Sequence, residues 1–209
     1  MSIIKVLSEF NKPDDFSVFK KDGFLIIDNF LPIDEANKLE KLYSSEKSWD
    51  IMDQVREKHY NHVFKMDSQS FPQKDEIYSA KFQRSNTLEK EIDEIFKRFF
   101  KPTLNKLAKS DLLEFDVRCY KLGVGDFYRT HMDDYAGTIG CVYYLNKRWC
   151  WDWGGILHIG KEDDSLSSIF PKFNRIVIHD MKKFRFPHFI SPVTNYAKSD
   201  RYTIVSFNK

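Results

Sequence analysis

From residue 113 onward, short segments rich in β-branched and aromatic residues recur every 8 to 15 positions, at about 114–121, 127–132, 138–145, 155–160, 167–170, 174–180, 187–194 and 201–207. Eight strands of that length, with no helix-length apolar run between them, suggest an antiparallel sandwich or jelly roll. Ahead of them the texture is helical. Asp34 is placed to cap a helix to about Ser44, with Ala36, Leu39, Leu42 and Tyr43 at helical spacing. Ser85 or Asn86 is placed to cap another, from about Thr87 to Phe100. Glu89 stands at capping-box distance from Asn86, and Leu88, Ile92, Ile95, Phe96 and Phe99 make one apolar stripe. Pro102 ends or kinks that helix, and a second short one runs to about Lys109. Residues 1–12 read as a strand or arm, 14–21 as a brief helix stopped by Gly23, and Phe24–Asp28 as a strand. The polar and aromatic stretch 47–84 reads as a surface meander, with His59 and His62 at its surface. The expected fold class is an all-β core with flanking helices (α+β). One domain fills 1–209, with helical support in 1–112 and a jelly-roll core in 113–209.

Composition narrows the function classes. A hydrophobic fraction of 42% and an aromatic fraction of 16% describe a packed globule. Lys and Arg (33) nearly balance Asp and Glu (31), and no basic block stands out, so no nucleic-acid partner is expected. Three cysteines, Cys119, Cys141 and Cys150, form no disulfide framework and suit a reducing compartment. The N-terminal apolar run is too short for a signal peptide and no stretch reaches membrane-spanning length, so no membrane partner is expected. The expectation is a cytoplasmic protein. Richness in Lys, Phe, Asn and Ile fits an AT-rich genome, whether bacterial or, in a host cytosol, viral.

Within the β-rich half, His131 and Asp133 stand two apart in Tyr128-Arg129-Thr130-His131-Met132-Asp133. On a strand such residues share a face, so imidazole and carboxylate can grip one metal ion. His188, in Phe186-Pro187-His188-Phe189, is the best candidate third ligand. Two histidines and one carboxylate leave about three coordination positions open, as in non-haem Fe(II) oxygenases. An isolated His-x-Asp is weak, since a lone strand histidine is usually just a polar residue. Here the context shifts that balance. In the last strand Arg201 and Thr203 share a face, and a guanidinium turned into a barrel needs an anionic partner, which a carboxylate supplies bidentately.

The ordered segments Cys119–Phe127, Cys141-Val142-Tyr143-Tyr144-Leu145-Asn146-Lys147-Arg148-Trp149, Gly154-Gly155-Ile156-Leu157, Pro171-Lys172-Phe173-Asn174-Arg175 and Pro187–Phe207 resemble the catalytic domain of the 2-oxoglutarate/Fe(II)-dependent prolyl hydroxylases, the prolyl 4-hydroxylase superfamily. The resemblance covers about residues 114–208, with a fainter echo over 23–43, and implies a substrate-covering hairpin at 47–84 as the alternative to a surface meander. It implies Fe(II) held by His131, Asp133 and His188, and 2-oxoglutarate and O2 as co-substrates, with ascorbate as a candidate reductant. Arg201 would take the distal carboxylate of 2-oxoglutarate. Tyr144 and Tyr120 would hydrogen-bond the co-substrate, although either also reads as a barrel aromatic. Thr203 and Leu157 would line its pocket, although core packing explains Leu157 equally well. Arg175 reads as structural, and His158 and His179 as barrel residues near the site. His188 to Arg201 is 13 positions, longer than the family's usual spacing, which places a longer turn at 194–200.

The implied reaction is hydroxylation of a prolyl residue in a protein or peptide, with release of succinate and CO2. Because Asp133 is present, hydroxylation is expected over halogenation. A free amino acid or other small molecule is the alternative substrate on the same core. A catalytically silent cupin-like metal-binding jelly roll is the alternative of a different class. A hydrolase on Zn(II) is disfavoured, because no further carboxylate or histidine is placed as general base.

Overall fold

The computed structural model describes residues 6–7, 19, 23–56, 78–109, 114–133, 138–161, 164–181 and 187–209. Most of the N-terminal arm and the brief helix expected at 14–21 lie outside the described residues, as do His59 and His62.

Among the described residues, twelve strands form one curled sheet: β1 (Val6–Leu7), β2 (Phe24–Asp28), β3 (Asp50–Arg56), β4 (Tyr78–Arg84), β5 (Phe115–Leu122), β6 (Phe127–His131), β7 (Ile139–Tyr144), β8 (Leu157–Gly160), β9 (Leu166–Ile169), β10 (Arg175–Asp180), β11 (His188–Ile190) and β12 (Arg201–Asn208). Their spatial order is β1-β2-β10-β7-β12-β5-β4-β6-β11-β8-β9, with β3 paired to β4. Apart from the parallel β1–β2 pair, every pairing is antiparallel. This is the expected jelly roll. A long face, β2-β10-β7-β12-β5, lies opposite a short one, β6-β11-β8-β9. β4 belongs to both, pairing with β5 at Gln83–Arg84 and with β6 at Ala80–Lys81.

All eight strands expected after residue 113 are present. The seventh is shorter than expected, His188–Ile190 in place of 187–194, because the chain leaves the sheet before Pro192. The segment 47–84 is no loose meander at its ends: β3 and β4 pair over seven residues each, from Asp50↔Arg84 to Arg56↔Tyr78.

The long face is covered on both sides. Leu25, Ile27, Cys141, Tyr143, Ile176, Ile178 and Ile204 point outward and are buried under the helices, while Ile26, Tyr144 and Val177 point inward. Burial on both faces explains the unbroken apolar runs Leu25-Ile26-Ile27 and Ile176-Val177-Ile178. The covering layer begins with α1 (Ile33–Ser45), which buries Ala36, Leu39 and Tyr43. Asp34 does not cap it. The cap position is Pro32, with no side-chain hydrogen bond, and Asp34 and Glu35 sit in the first turn, where the helix dipole favours them.

The second helical run starts at α2 (Asn86–Glu91), capped by Ser85, whose Oγ accepts the Leu88 N–H at 3.3 Å. Such a cap is worth about 1 kcal/mol. The expected capping box does not form. Glu89 instead takes Arg84 bidentately, at 2.7 and 2.8 Å, and accepts the Cys119 N–H, tying the helix to β5. Nor does the run stop at Phe100. It passes through a π-helical turn, Phe96–Phe100, into α3 (Lys101–Ala108), with Pro102 in the first turn and Lys109 left-handed at the end. Leu88, Ile92, Phe96, Phe100 and Leu104 are all buried, one every four residues. Each such step overshoots a 3.6-residue turn by about 40°, and the wider π turn takes up that drift. No described helix is long and apolar enough to cross a membrane.

Candidate active site

Antiparallel pairing of β6 with β11 sets His131 directly opposite His188, their ring centroids 4.3 Å apart. Asp133 lies two residues beyond the end of β6, not on the strand, yet its carboxylate still meets both imidazoles. Oδ1 is 3.6 Å from His131 Nε2 and Oδ2 is 3.3 Å from His188 Nε2. The three ligand atoms all lie within 4.8 Å of one another. An ion about 2.1 Å from each donor sets neighbouring donors about 3 Å apart, so small side-chain adjustments would close the set around a metal.

The tautomer suits this task. His131 Nδ1 is 2.7 Å from the Arg129 carbonyl oxygen, which can only accept, so Nδ1 carries the proton and Nε2 presents its lone pair. Burial pushes the Asp133 carboxyl up, but His188, His131 and His179 push it down harder and hold it well below the usual carboxylate range. His179, which lines the same cavity, has Nε2 3.9 Å from Asp133 Oδ2, and burial takes its imidazole down to about 4. Gly140, its partner on β7, makes room for that ring: a Cβ there would stand 2.5 Å from it.

The cavity enclosed between the two faces measures about 140 Å³. Away from the histidines it is closed by Arg201, which is 1% exposed. Its Nε and Nη2 have no hydrogen-bond partner among the described residues, and neither does the neighbouring Tyr144 hydroxyl. The guanidinium lies 5.0 Å from the centre of the Tyr144 ring. Burial lowers the Arg201 pKa and raises that of Tyr144. A buried cation without a counter-ion costs several kcal/mol. Here the residues fit a carboxylate-bearing ligand.

Glycine makes this seat. Gly155, at φ +61°, passes so close that a Cβ would come within 2.9 Å of Arg201 Cδ. The longer stretch before Arg201 is taken up by a turn at 195–196, closed by Ala197 N–H to Thr194 O. Asp200 pairs with Lys121 at 3.4 Å and not with Arg201.

The other expected residues also line the cavity. Thr203 is buried beside Arg201's row, opposite both Tyr120 and Tyr144. Leu157 closes the short face. Tyr120 is 6% exposed, and its hydroxyl accepts from Arg118 Nη1 at 3.2 Å. Arg175 is structural, held by Asp28 at 2.6 and 3.0 Å. His158 is turned away, bonded to Ser168 at 2.9 Å. Three polar lining residues have no role assigned from the sequence: Gln54, Arg118 and Tyr128. Tyr128 stands three positions before His131, a spacing that regular alternation assigns to the opposite face; the register shift where β6 pairs with β11 brings both to the cavity. Arg118 and Gln54 carry no sequence signal either, because polar side chains on strands read as solvent-facing.

Residues 115–209 match the family described as the 2OG-Fe(II) oxygenase superfamily. Over that stretch, somewhat under half of its length, the chain is similar to that family. Its members use Fe(II), 2-oxoglutarate and O2, which the His131–Asp133–His188 cluster and the buried Arg201 guanidinium would accommodate. Human prolyl hydroxylase EGLN3 is 38% identical over 93 residues, 41% of this chain; the chain spans only 38% of that relative's length. Among solved structures, a Trichoplax adhaerens prolyl hydroxylase in complex with a hypoxia-inducible-factor peptide superposes with a TM-score of 0.65 at 18% identity, covering 92% of this chain and 86% of the other. A Pseudomonas putida prolyl-4-hydroxylase gives 0.57 at 16%, covering 93% and 96%. The 2-oxoglutarate-dependent epimerase SnoN of nogalamycin biosynthesis gives 0.63 at 10%, covering 95% and 84%. At these identities the likeness is one of fold.

Proposed function

We propose that this chain is an Fe(II)- and 2-oxoglutarate-dependent oxygenase that hydroxylates a prolyl residue in a protein or peptide. The observation that carries the reading is a buried guanidinium that meets no counter-ion among the described residues, in the same cavity as an open-sided His-Asp-His cluster. A cupin-like metal-binding module has no use for such a cation. Its place there is explained by a co-substrate with a carboxylate to spare.

In this reading His131, Asp133 and His188 hold the ion, and Arg201 with Tyr144 binds the distal carboxylate of 2-oxoglutarate. Tyr120 and Thr203 contact the co-substrate, while Leu157 and Val177 keep water from it. The Arg129 carbonyl keeps the His131 proton on Nδ1, away from the metal. Bound there, Fe(II) would supply O2 activation: 2-oxoglutarate gives two electrons and takes one oxygen atom as it loses CO2 to become succinate, and the substrate C–H gives two electrons and takes the other oxygen. The prolyl assignment draws support from the likeness to human prolyl hydroxylase EGLN3 and to the peptide-bound Trichoplax enzyme.

The test is aerobic incubation with Fe(II), 2-oxoglutarate and proline-containing peptides, following succinate and peptide mass together. Succinate formed in step with a one-oxygen gain on a prolyl residue is the expected result. Absence of both overturns the oxygenase reading. Succinate without any modified proline overturns the prolyl substrate alone.

A further inference from the structure

Resting on the co-substrate reading above, we propose that Arg118 is a positioning residue for 2-oxoglutarate, acting through the hydroxyl of Tyr120. Asp116, Arg118 and Tyr120 alternate along β5 and so share one face, running from the rim of the cavity inward. They stand opposite Phe207, Val205 and Thr203 of β12. The Arg118 guanidinium is fixed on three sides. Asp116 accepts from Nε at 3.0 and 3.1 Å and also from Nη2. The Phe207 ring lies 4.9 Å beneath its centre. The remaining arm, Nη1, donates to the Tyr120 hydroxyl at 3.2 Å.

That last bond decides which way the phenol works. A phenol has one proton to give, and a guanidinium has no acceptor to receive it. With Arg118 filling a lone pair, the Tyr120 proton turns away from the rim. Phe82 at 4.8 Å and Tyr128 at 6.4 Å pack against the Tyr120 ring, and all three line the cavity that holds Arg201, His131 and His188. The proton therefore points where an acceptor oxygen of the co-substrate would lie. The cation beside it opposes the rise in pKa that burial imposes, which makes the hydroxyl a stronger donor. Asp116 completes the device. By cancelling the charge of Arg118 it leaves Arg201 as the cation that attracts the anion, so Arg118 orients and does not bind.

Because two residues act as one unit here, their effects should not add. The experiment is calorimetric titration of 2-oxoglutarate into the full chain loaded with Mn(II), comparing wild type, Arg118→Gln, Arg118→Lys, Tyr120→Phe and Arg118→Gln/Tyr120→Phe. Loss of one well-placed hydrogen bond should weaken binding on the order of fivefold in Arg118→Gln and in Tyr120→Phe. The double variant should be no weaker than Tyr120→Phe alone, and Arg118→Lys, which keeps a donor, should recover part of the loss. Thermal melting of each variant shows that the fold is intact. Unchanged affinity in both Arg118 variants overturns the proposal. So does a further fivefold loss on adding Arg118→Gln to Tyr120→Phe, since Arg118 would then act independently. Wild-type protein that binds no 2-oxoglutarate overturns the co-substrate reading itself, a result distinct from either.

Discussion

Two arginines on the same long face show what a buried guanidinium does with and without a partner. Arg175 on β10 stands directly opposite Asp28 on β2, and the pair makes two hydrogen bonds at 2.6 and 3.0 Å, with Lys172 adding a third at 2.7 Å. Arg201 on β12 is more deeply buried, yet no carboxylate of the described chain reaches it. The sheet brings the two sites close: Arg175 is the register partner of Tyr144, and Tyr144 that of Thr203. One strand seam has an acid supplied by the chain. The other has none among the described residues, which is what the proposed co-substrate site requires. Removing the partner of a buried pair strands a charge, whereas removing an unpaired charge relieves one, so the two sites should respond to mutation with opposite signs.

The largest effect is expected at the satisfied seam. Asp28→Ala leaves Arg175 and Lys172 facing an empty acceptor and should destabilise the fold by about 3–5 kcal/mol in denaturant melts. The same pair sets an acid limit. Burial raises the Asp28 pKa, but Arg175 and Lys172 together lower it below its ordinary 3.8. A depressed carboxylate contributes stability that is complete above its unfolded value and lost as pH falls through the folded one. Asp28→Asn should therefore lower stability at neutral pH while flattening the loss below about pH 4, relative to wild type. An Asp28→Ala protein as stable as wild type would break the contrast.

At the vacant seam, Arg201→Met should leave the protein without 2-oxoglutarate as stable as wild type, or more so. Its affinity for the co-substrate should fall by about a hundredfold, as expected for loss of a charge-assisted bidentate contact. Both readings come from one preparation, by melting and by calorimetry. A large loss of stability on removing the Arg201 charge would show that it has a structural partner after all.

This contrast also explains how much of the molecule was legible beforehand. The eight strands after residue 113 were legible because β-branched and aromatic clusters mark them whichever face they use. His131, Asp133, His188 and Arg201 were legible because their order along the chain is specific. The satisfied pair was not: Asp28 and Arg175 are 147 residues apart, and only the β2–β10 register brings them together. The same holds for Glu89, whose spacing suggested a capping box but whose carboxylate is claimed by Arg84 and the Cys119 N–H. Arg118 was hidden for a related reason, since its meaning comes from Tyr120 on its own strand and Phe207 on another. The π turn at Phe96–Phe100 arises from packing of a four-residue apolar repeat, which a helical pattern alone does not disclose.

Two glycines sharpen the comparison at smaller amplitude. Gly155 and Gly125 both have positive φ, +61° and +84°, but a Cβ on Gly155 would meet Arg201 and Trp149, whereas one on Gly125 meets nothing within 4 Å. Each alanine variant loses about 1 kcal/mol to its backbone conformation. Gly155→Ala should in addition displace Arg201 and weaken 2-oxoglutarate binding by about tenfold, a step of about 1.4 kcal/mol. Gly125→Ala should leave that affinity unchanged. Equal effects on binding would show that backbone strain alone, and not the seat of Arg201, had been disturbed.

The smallest and cleanest contrast is between adjacent tyrosines on β7. Tyr143 faces the helices and its hydroxyl donates to Asn174 Oδ1 at 2.9 Å, where Asn174 also accepts the Leu31 N–H at 2.8 Å. Tyr144 faces the cavity, and its hydroxyl meets no hydrogen-bond acceptor or donor at bonding distance among the described residues. Removing a satisfied hydroxyl loses a hydrogen bond, here leaving Asn174 Oδ1 with the Leu31 N–H alone, while removing an idle one loses none. Tyr143→Phe should thus lower stability by about 1 kcal/mol and leave 2-oxoglutarate binding alone. Tyr144→Phe should be neutral for stability and weaken binding on the order of fivefold, because its hydroxyl gains a partner only when the co-substrate arrives. If both substitutions moved only stability, the idle hydroxyl would belong to the scaffold, and Arg201 would have to hold the carboxylate unaided.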